Sequence, residues 1–136
     1  MHRLRALWAA AVVSGSLAYC VLRWRPFRVE VSGGSMAPTL EPGDQALAVR
    51  ARRVRRDDVV VLEHPGRRGF ELVKRVTGVP GDLAPDGRIL GEGELWVEGD
   101  TPDGSTDSRS FGAVDRTAVV ATVRFVYWPP ARRRLL

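Results

Sequence analysis

Apolar and polar positions divide this chain into two unequal parts. From Ala6 to Leu22 runs an uncharged stretch of 17 residues, bracketed by Arg3 and Arg5 on one side and Arg23 and Arg25 on the other. That length is the lower limit for spanning a bilayer, and Trp8, Tyr19 and Trp24 suit its interfaces. No Ala-x-Ala-like cleavage site with polar residues follows, so a retained anchor is expected rather than a cleaved secretory signal. From Phe27 onward the pattern changes to short β-branched runs: Arg28–Val31, Gln45–Val49, Val59–Leu62, Phe70–Val76, Glu94–Val97 and Ala118–Trp128. Turn signals separate them at Pro42-Gly43-Asp44, His64-Pro65-Gly66, Pro80-Gly81-Asp82 and Asp103-Gly104. The only helical candidate beyond the anchor is the stretch after Ser35, with Pro38 in a first turn. The pattern predicts a mostly β chain: a compact antiparallel β domain, barrel-like or built from two sheets, behind one N-terminal transmembrane helix. The expected boundaries are an anchor over residues 1–25, a β domain over 26–130 and a basic tail over 131–136.

Composition sharpens this picture at three points. With 44% hydrophobic and 27% charged residues, the chain is neither disordered nor wholly buried in lipid. The single cysteine, Cys20, excludes an intramolecular disulfide, so the β domain must hold together by packing. Cys20 follows Leu17-Ala18-Tyr19, but Tyr19 is too large for a lipoprotein cleavage site and lipidation is not expected. The net charge is +5, and of 21 lysines and arginines only Lys74 is a lysine. Arginine stays protonated, whereas a desolvated lysine can lose its proton and act as a base. The arginines around the apolar run do not fix its orientation.

Three segments carry candidate chemistry. In Gly33-Gly34-Ser35-Met36-Ala37-Pro38-Thr39-Leu40, two glycines permit close substrate approach and leave the Ser35 amide open to a developing oxyanion. Met36 and Leu40 are apolar residues that can touch substrate, lipid or core. In Phe70–Asp82, strand alternation puts Lys74 on one face with Phe70, Leu72 and Val76, and Glu71 and Arg75 on the other. Apolar neighbours should lower the Lys74 pKa, and a neutral amine beside a serine hydroxyl can take its proton. The third segment, Glu98–Gly112, is polar and rich in turns. In it Asp107 and Arg109 are close enough to pair, and Ser105 can donate a hydrogen bond that orients the lysine amine. Taken alone, each segment also reads as ordinary structure: a Gly-Ser turn, a snorkelling lysine and a surface loop.

Together and in this order, the three segments resemble the signal peptidase I family of serine-lysine membrane proteases, most closely its compact members such as the mitochondrial inner-membrane protease subunits. The resemblance rests on Ser-Met-Ala-Pro-Thr-Leu at 35–40, Lys-Arg-Val-Thr-Gly-Val-Pro-Gly-Asp at 74–82, Gly-Asp at 99–100, and Ser-Thr-Asp-Ser-Arg at 105–109 followed by Phe-Gly at 111–112. It covers about residues 28–130. It implies a serine endopeptidase that removes signal or leader peptides from exported precursors carrying small residues before the cleaved bond. By residue, it implies Ser35 as nucleophile, Lys74 as general base, Gly33 at the oxyanion site and Ser105 orienting the lysine. Asp107 and Arg109 become a structural pair, with Asp100 in support. No cofactor or metal is implied.

The same likeness implies attachment to a lipid bilayer with the catalytic domain outside. The first expectation is a bacterial plasma membrane, spanned once; the alternative is the mitochondrial inner membrane. A related protease subunit is a possible partner. Two departures stand out: Gly33 occupies a position where many members have a serine whose hydroxyl helps the oxyanion hole, and little chain lies between Asp82 and Glu94. The second suits an alternative role as a dedicated protease clipping one partner's propeptide. The basic cluster Arg50–Arg56 has few interleaved aromatics and no helical DNA-binding domain beside it. Nucleic acid is therefore not an expected partner, and a solvated face or a lipid headgroup contact suits the cluster better.

Overall fold

Four consecutive side chains, Val59 to Leu62, are at most 2% exposed, so their strand is buried on both faces. This is β3 (Val59–His64). Successive side chains of a strand point oppositely. Val59 and Val61 thus join Val31, Met36, Ala46 and Val123 in one apolar cluster, while Val60 and Leu62 join Leu72, Val76, Leu95 and Val97 in another. Each fully buried Val or Leu contributes about 1.5–3 kcal/mol, so the strand common to both clusters is central to stability.

In the computed structural model, the structure describes residues 26–136 together with residues 14–16 and 19, which are helical. Around β3 the elements are β1 (Phe27–Glu30), β2 (Gln45–Arg50), β4 (Arg67–Gly78), β5 (Glu94–Glu98), α1 (Ser108–Phe111), β6 (Val114–Asp115), β7 (Val119–Trp128) and β8 (Arg134–Leu135). All eight strands form one antiparallel sheet in the order β1-β2-β7-β3-β4-β5-β6, with β8 beside β7.

The six strands expected from sequence are present, and the four turns fall where proline and glycine placed them. Four details differ from expectation. The strands make one continuous sheet rather than two, because β7 is long enough to pair with β2, β3 and β8. The segment after Ser35 is a hydrogen-bonded turn and not a helix: the Ser35 carbonyl, which a helix would bond to Thr39, accepts instead from the amide of Thr101 at 3.0 Å. The short helix is α1, capped by the Asp107 carboxylate accepting from the Arg109 amide. Phe70 does not share the buried environment of Lys74. It is 48% exposed and packs on His64 and under the Arg67 guanidinium.

Residues 131–136 are integrated into the sheet. Arg132 Nε bonds Asp44 Oδ1 at 2.9 Å, and β8 pairs with β7 at Phe125 and Val126. The expected anchor over residues 1–25 and Cys20 lie almost wholly outside the described residues. Among the described residues no helix is long and apolar enough to cross a membrane.

Candidate active site

The turn bearing Ser35 is held from below and from the side. Met36 and Leu40 are core residues at 1% and 0% exposure, which pins the turn to the sheet; Leu40 is withdrawn from any substrate, whereas Met36 still borders the groove at Ser35. Thr101 grips the turn laterally. Its amide bonds the Ser35 carbonyl, and its hydroxyl donates to the carbonyl of Ala37 at 2.9 Å and to that of Gly34 at 3.3 Å. Among the described residues the Ser35 amide has no hydrogen-bond acceptor. A free amide beside a serine hydroxyl is what an oxyanion needs.

Lys74 approaches from β4. Alternation turns Leu72, Lys74 and Val76 inward, and Lys74 is 2% exposed despite its charge-bearing tip. Its Nζ lies 2.7 Å from Ser35 Oγ and 3.1 Å from Ser105 Oγ. Burial lowers the Lys74 pKa by disfavouring the ammonium; Asp107 opposes this and Arg109 adds to it, and the net shift is downward. The amine is thus biased towards the form able to accept a proton.

Asp107 sets the polarity of this chain of groups. Its side chain is fully buried and accepts from the Gly99 amide at 2.9 Å, from Ser105 Oγ at 2.6 Å, and from the amide, Nε and Nη2 of Arg109. Burial pushes its pKa up, but the bonds from Arg109, Gly99 and Ser105 prevail and hold it well below the usual carboxylate range. Because the single hydroxyl proton of Ser105 goes to Asp107, Ser105 accepts from Lys74 and does not donate to it as expected from sequence. That leaves the amine lone pair free to face Ser35.

Gly99 makes the meeting of these groups possible. A Cβ there would stand 2.6 Å from the Ser35 carbonyl oxygen and would run into Ser105 Oγ. By contrast, a Cβ on Gly33 meets nothing within 4 Å. Gly33 lies on the rim of the site beside Ser35.

Asp100 is bound by Arg75 through two parallel bonds of 2.8 Å, and the same guanidinium reaches Thr39 Oγ1 at 3.1 Å and the Asp57 carbonyl at 3.0 Å. Burial raises the Asp100 pKa and the bonds from Arg75 and Thr39 lower it, with a net lowering. The sequence reading found Asp100 but missed Arg75, Thr39 and Thr101 as the clamp between the Ser35 turn and the 98–101 loop. The available signal was Arg75's position on the strand face opposite Lys74. Arg132 and Arg134 were missed too: both donate to the carbonyl of Pro38, behind the Ser35 turn.

A groove of about 240 Å³ opens at Ser35, walled by Val29, Val31, Gly33, Val61, Glu71 and Val73. β1 forms one wall, and its position at the end of the sheet leaves one side of its backbone without a neighbouring strand among the described residues.

Comparison with known proteins identifies the family. The family described as signal peptidase, peptidase S26, matches residues 3–85 and 83–128. Mitochondrial inner membrane protease subunit 1 of Xenopus tropicalis is 30% identical over 128 residues, covering 85% of this chain and 77% of its own. Mitochondrial inner membrane protease subunit 2 of Danio rerio is 30% identical over 146 residues, covering 94% of this chain and 78% of its own. The corresponding subunit 2 of Saccharomyces cerevisiae is 31% identical over 121 residues, covering 76% and 68%. The chain belongs to the signal peptidase family, peptidase S26.

Proposed function

We propose that this protein is a membrane-attached serine endopeptidase that removes signal or leader peptides through a Ser35–Lys74 dyad. The observation that carries the proposal is the buried Lys74 amine at 2.7 Å from Ser35 Oγ. The precursor lies extended in the groove, adding to the free edge of β1 through main-chain hydrogen bonds. The modest groove volume beside Val29, Val61 and Val73 suits small side chains before the cleaved bond. Neutral Lys74 takes the Ser35 proton as Oγ attacks the scissile carbonyl. The oxyanion is met by the Ser35 amide. The ammonium then protonates the leaving amine, and an acyl-enzyme remains on Ser35. Lys74, neutral again, deprotonates a water that releases the acyl group.

In this scheme Ser105 and Asp107 are positioning residues, fixing which way the amine lone pair points. Arg109 neutralises Asp107, and Arg75 with Asp100 holds the two loops in register. The relatives named above are mitochondrial inner-membrane proteins, which supports the second of the two locations expected from sequence. They are also named as subunits, which supports a related subunit as partner. A dedicated maturation role is the second reading, supported by the short span between Asp82 and Glu94.

The test is cleavage of candidate precursors by the detergent-solubilised full chain, with the new amino termini sequenced. Lys74→Ala and Ser35→Ala should each lower turnover by at least about a thousandfold while retaining a cooperative thermal transition. Wild-type turnover in folded Lys74→Ala would remove the mechanism. Deletion separates the two roles: many precursors accumulate if the activity is general, and one if it is dedicated.

A further inference from the structure

The proposed mechanism makes no use of the arginine cluster that follows β2. Arg50, Arg52, Arg53, Arg55 and Arg124 line a pocket of about 510 Å³ that shares no residue with the groove at Ser35. Only Arg124 is ion-paired there, to Asp58 at 3.3 Å; the other four have no ion-pair partner among the described residues. The loop is nevertheless built in place. The Ala51 amide donates to the Val120 carbonyl, Arg116 Nη2 to the Arg52 carbonyl, and the Arg55 amide to Asp58. Thr122 also lines the pocket, is 1% exposed, and its Oγ1 is without a hydrogen-bond partner among the described residues. A buried hydroxyl left unpaired is unfavourable, and the arginines lining the pocket, which only donate, offer it no acceptor.

Sheet topology adds a direction. Phe27, where the chain enters β1, lies opposite Ala48 of β2, and Glu30 lies opposite Gln45. The pocket at the far end of β2, beyond Ala48, is therefore at the same end of the sheet as the junction with residues 1–26. We infer that the pocket takes the phosphate-bearing headgroup of an anionic phospholipid, seating the β domain on the bilayer. Arginine forks match phosphate oxygens, the Thr122 hydroxyl supplies one further donor, and several unpaired cations are most favourable where lipid phosphates are concentrated. The inference rests on the proposed membrane attachment but not on the catalytic roles.

The experiment titrates the full chain in a non-ionic detergent with short-chain phosphatidylglycerol, short-chain phosphatidylcholine, inorganic phosphate and a random-sequence DNA duplex. Binding is read by calorimetry and precursor cleavage is measured in parallel. Phosphatidylglycerol should bind wild type and Ser35→Ala alike, and on the order of tenfold more weakly to R52Q/R53Q. Thr122→Val should weaken it severalfold. Phosphatidylcholine binding equally well, free phosphate or DNA binding as tightly as phosphatidylglycerol, or R52Q/R53Q binding unchanged would each overturn the inference. The lipid comparison on wild-type protein needs no variant to fold. Loss of cleavage with lipid binding intact would count against the peptidase reading alone.

Discussion

At the scale of single residues, the site depends on one amine held where its charge is unwelcome. Lys74 is buried and its pKa is lowered from 10.5, so the reactive neutral fraction grows as pH rises. The expected kcat/KM profile climbs with pH through the lowered Lys74 pKa and levels off below 10.5; a profile flat from neutral to alkaline pH would contradict the assignment. The same shift has a stability consequence. The unfolded chain binds the Lys74 proton more tightly, so the fold gains stability as pH rises from the lowered value towards 10.5. Gly33 offers a second residue-scale test. Its position has open space for a side chain, and a hydroxyl there adds a donor beside the Ser35 amide. Gly33→Ser should raise kcat several-fold with little change in KM, towards the roughly 3 kcal/mol that a whole oxyanion donor supplies. An unchanged or lowered kcat would show that this hydroxyl does not reach the oxyanion.

At the scale of elements, the site is a junction of three segments: the Ser35 turn, β4 and the loop between β5 and α1. Gly99 is the point of closest approach between the first and the third. Gly99→Ala should cut turnover by about a hundredfold or more, because its Cβ must push the Ser35 carbonyl or the Ser105 hydroxyl aside. The thermal transition should stay cooperative; full activity in this variant would mean that the junction is looser than its geometry. The strands of this junction were legible because β4 alternates cleanly from Leu72 to Gly78. Strands β6 and β8 were not, because two residues carry no readable period. The α1 helix escaped for a related reason: four residues held by one capping carboxylate look like a polar loop.

At the scale of the whole molecule, the last residues of the chain brace the first loop after β1. Arg132 binds Asp44, which is 1% exposed, and reaches Glu41 at 3.0 Å. Burial raises the Asp44 pKa, but the Arg132 bonds and the Glu41 amide lower it overall. Arg132→Ala should lower stability in denaturant unfolding at neutral pH, since it leaves a buried carboxylate short of a partner. A carboxylate with a lowered folded pKa stabilises above its unfolded value and loses that contribution as pH falls through the folded one. The difference between wild type and variant should therefore shrink in acid. Equal stability at neutral pH would show that residues 131–136 are a dispensable extension.

Taken by itself, the sequence determined the strand-rich character of residues 26–130, the turns, and Ser35 and Lys74 as the candidate pair. These follow from local period, from proline and glycine, and from a lysine standing alone among arginines. Only the tertiary structure decided that Lys74 Nζ and Ser35 Oγ stand 2.7 Å apart, that Asp107 fixes the Ser105 hydroxyl, and that Arg75 and Thr101 clamp the Ser35 turn. Lys74 meets Ser35 and Ser105 across 39 and 31 residues, and Thr101 reaches the Ser35 turn across 64 and 67. No local pattern encodes such a distance; the closure of one sheet around β3 does.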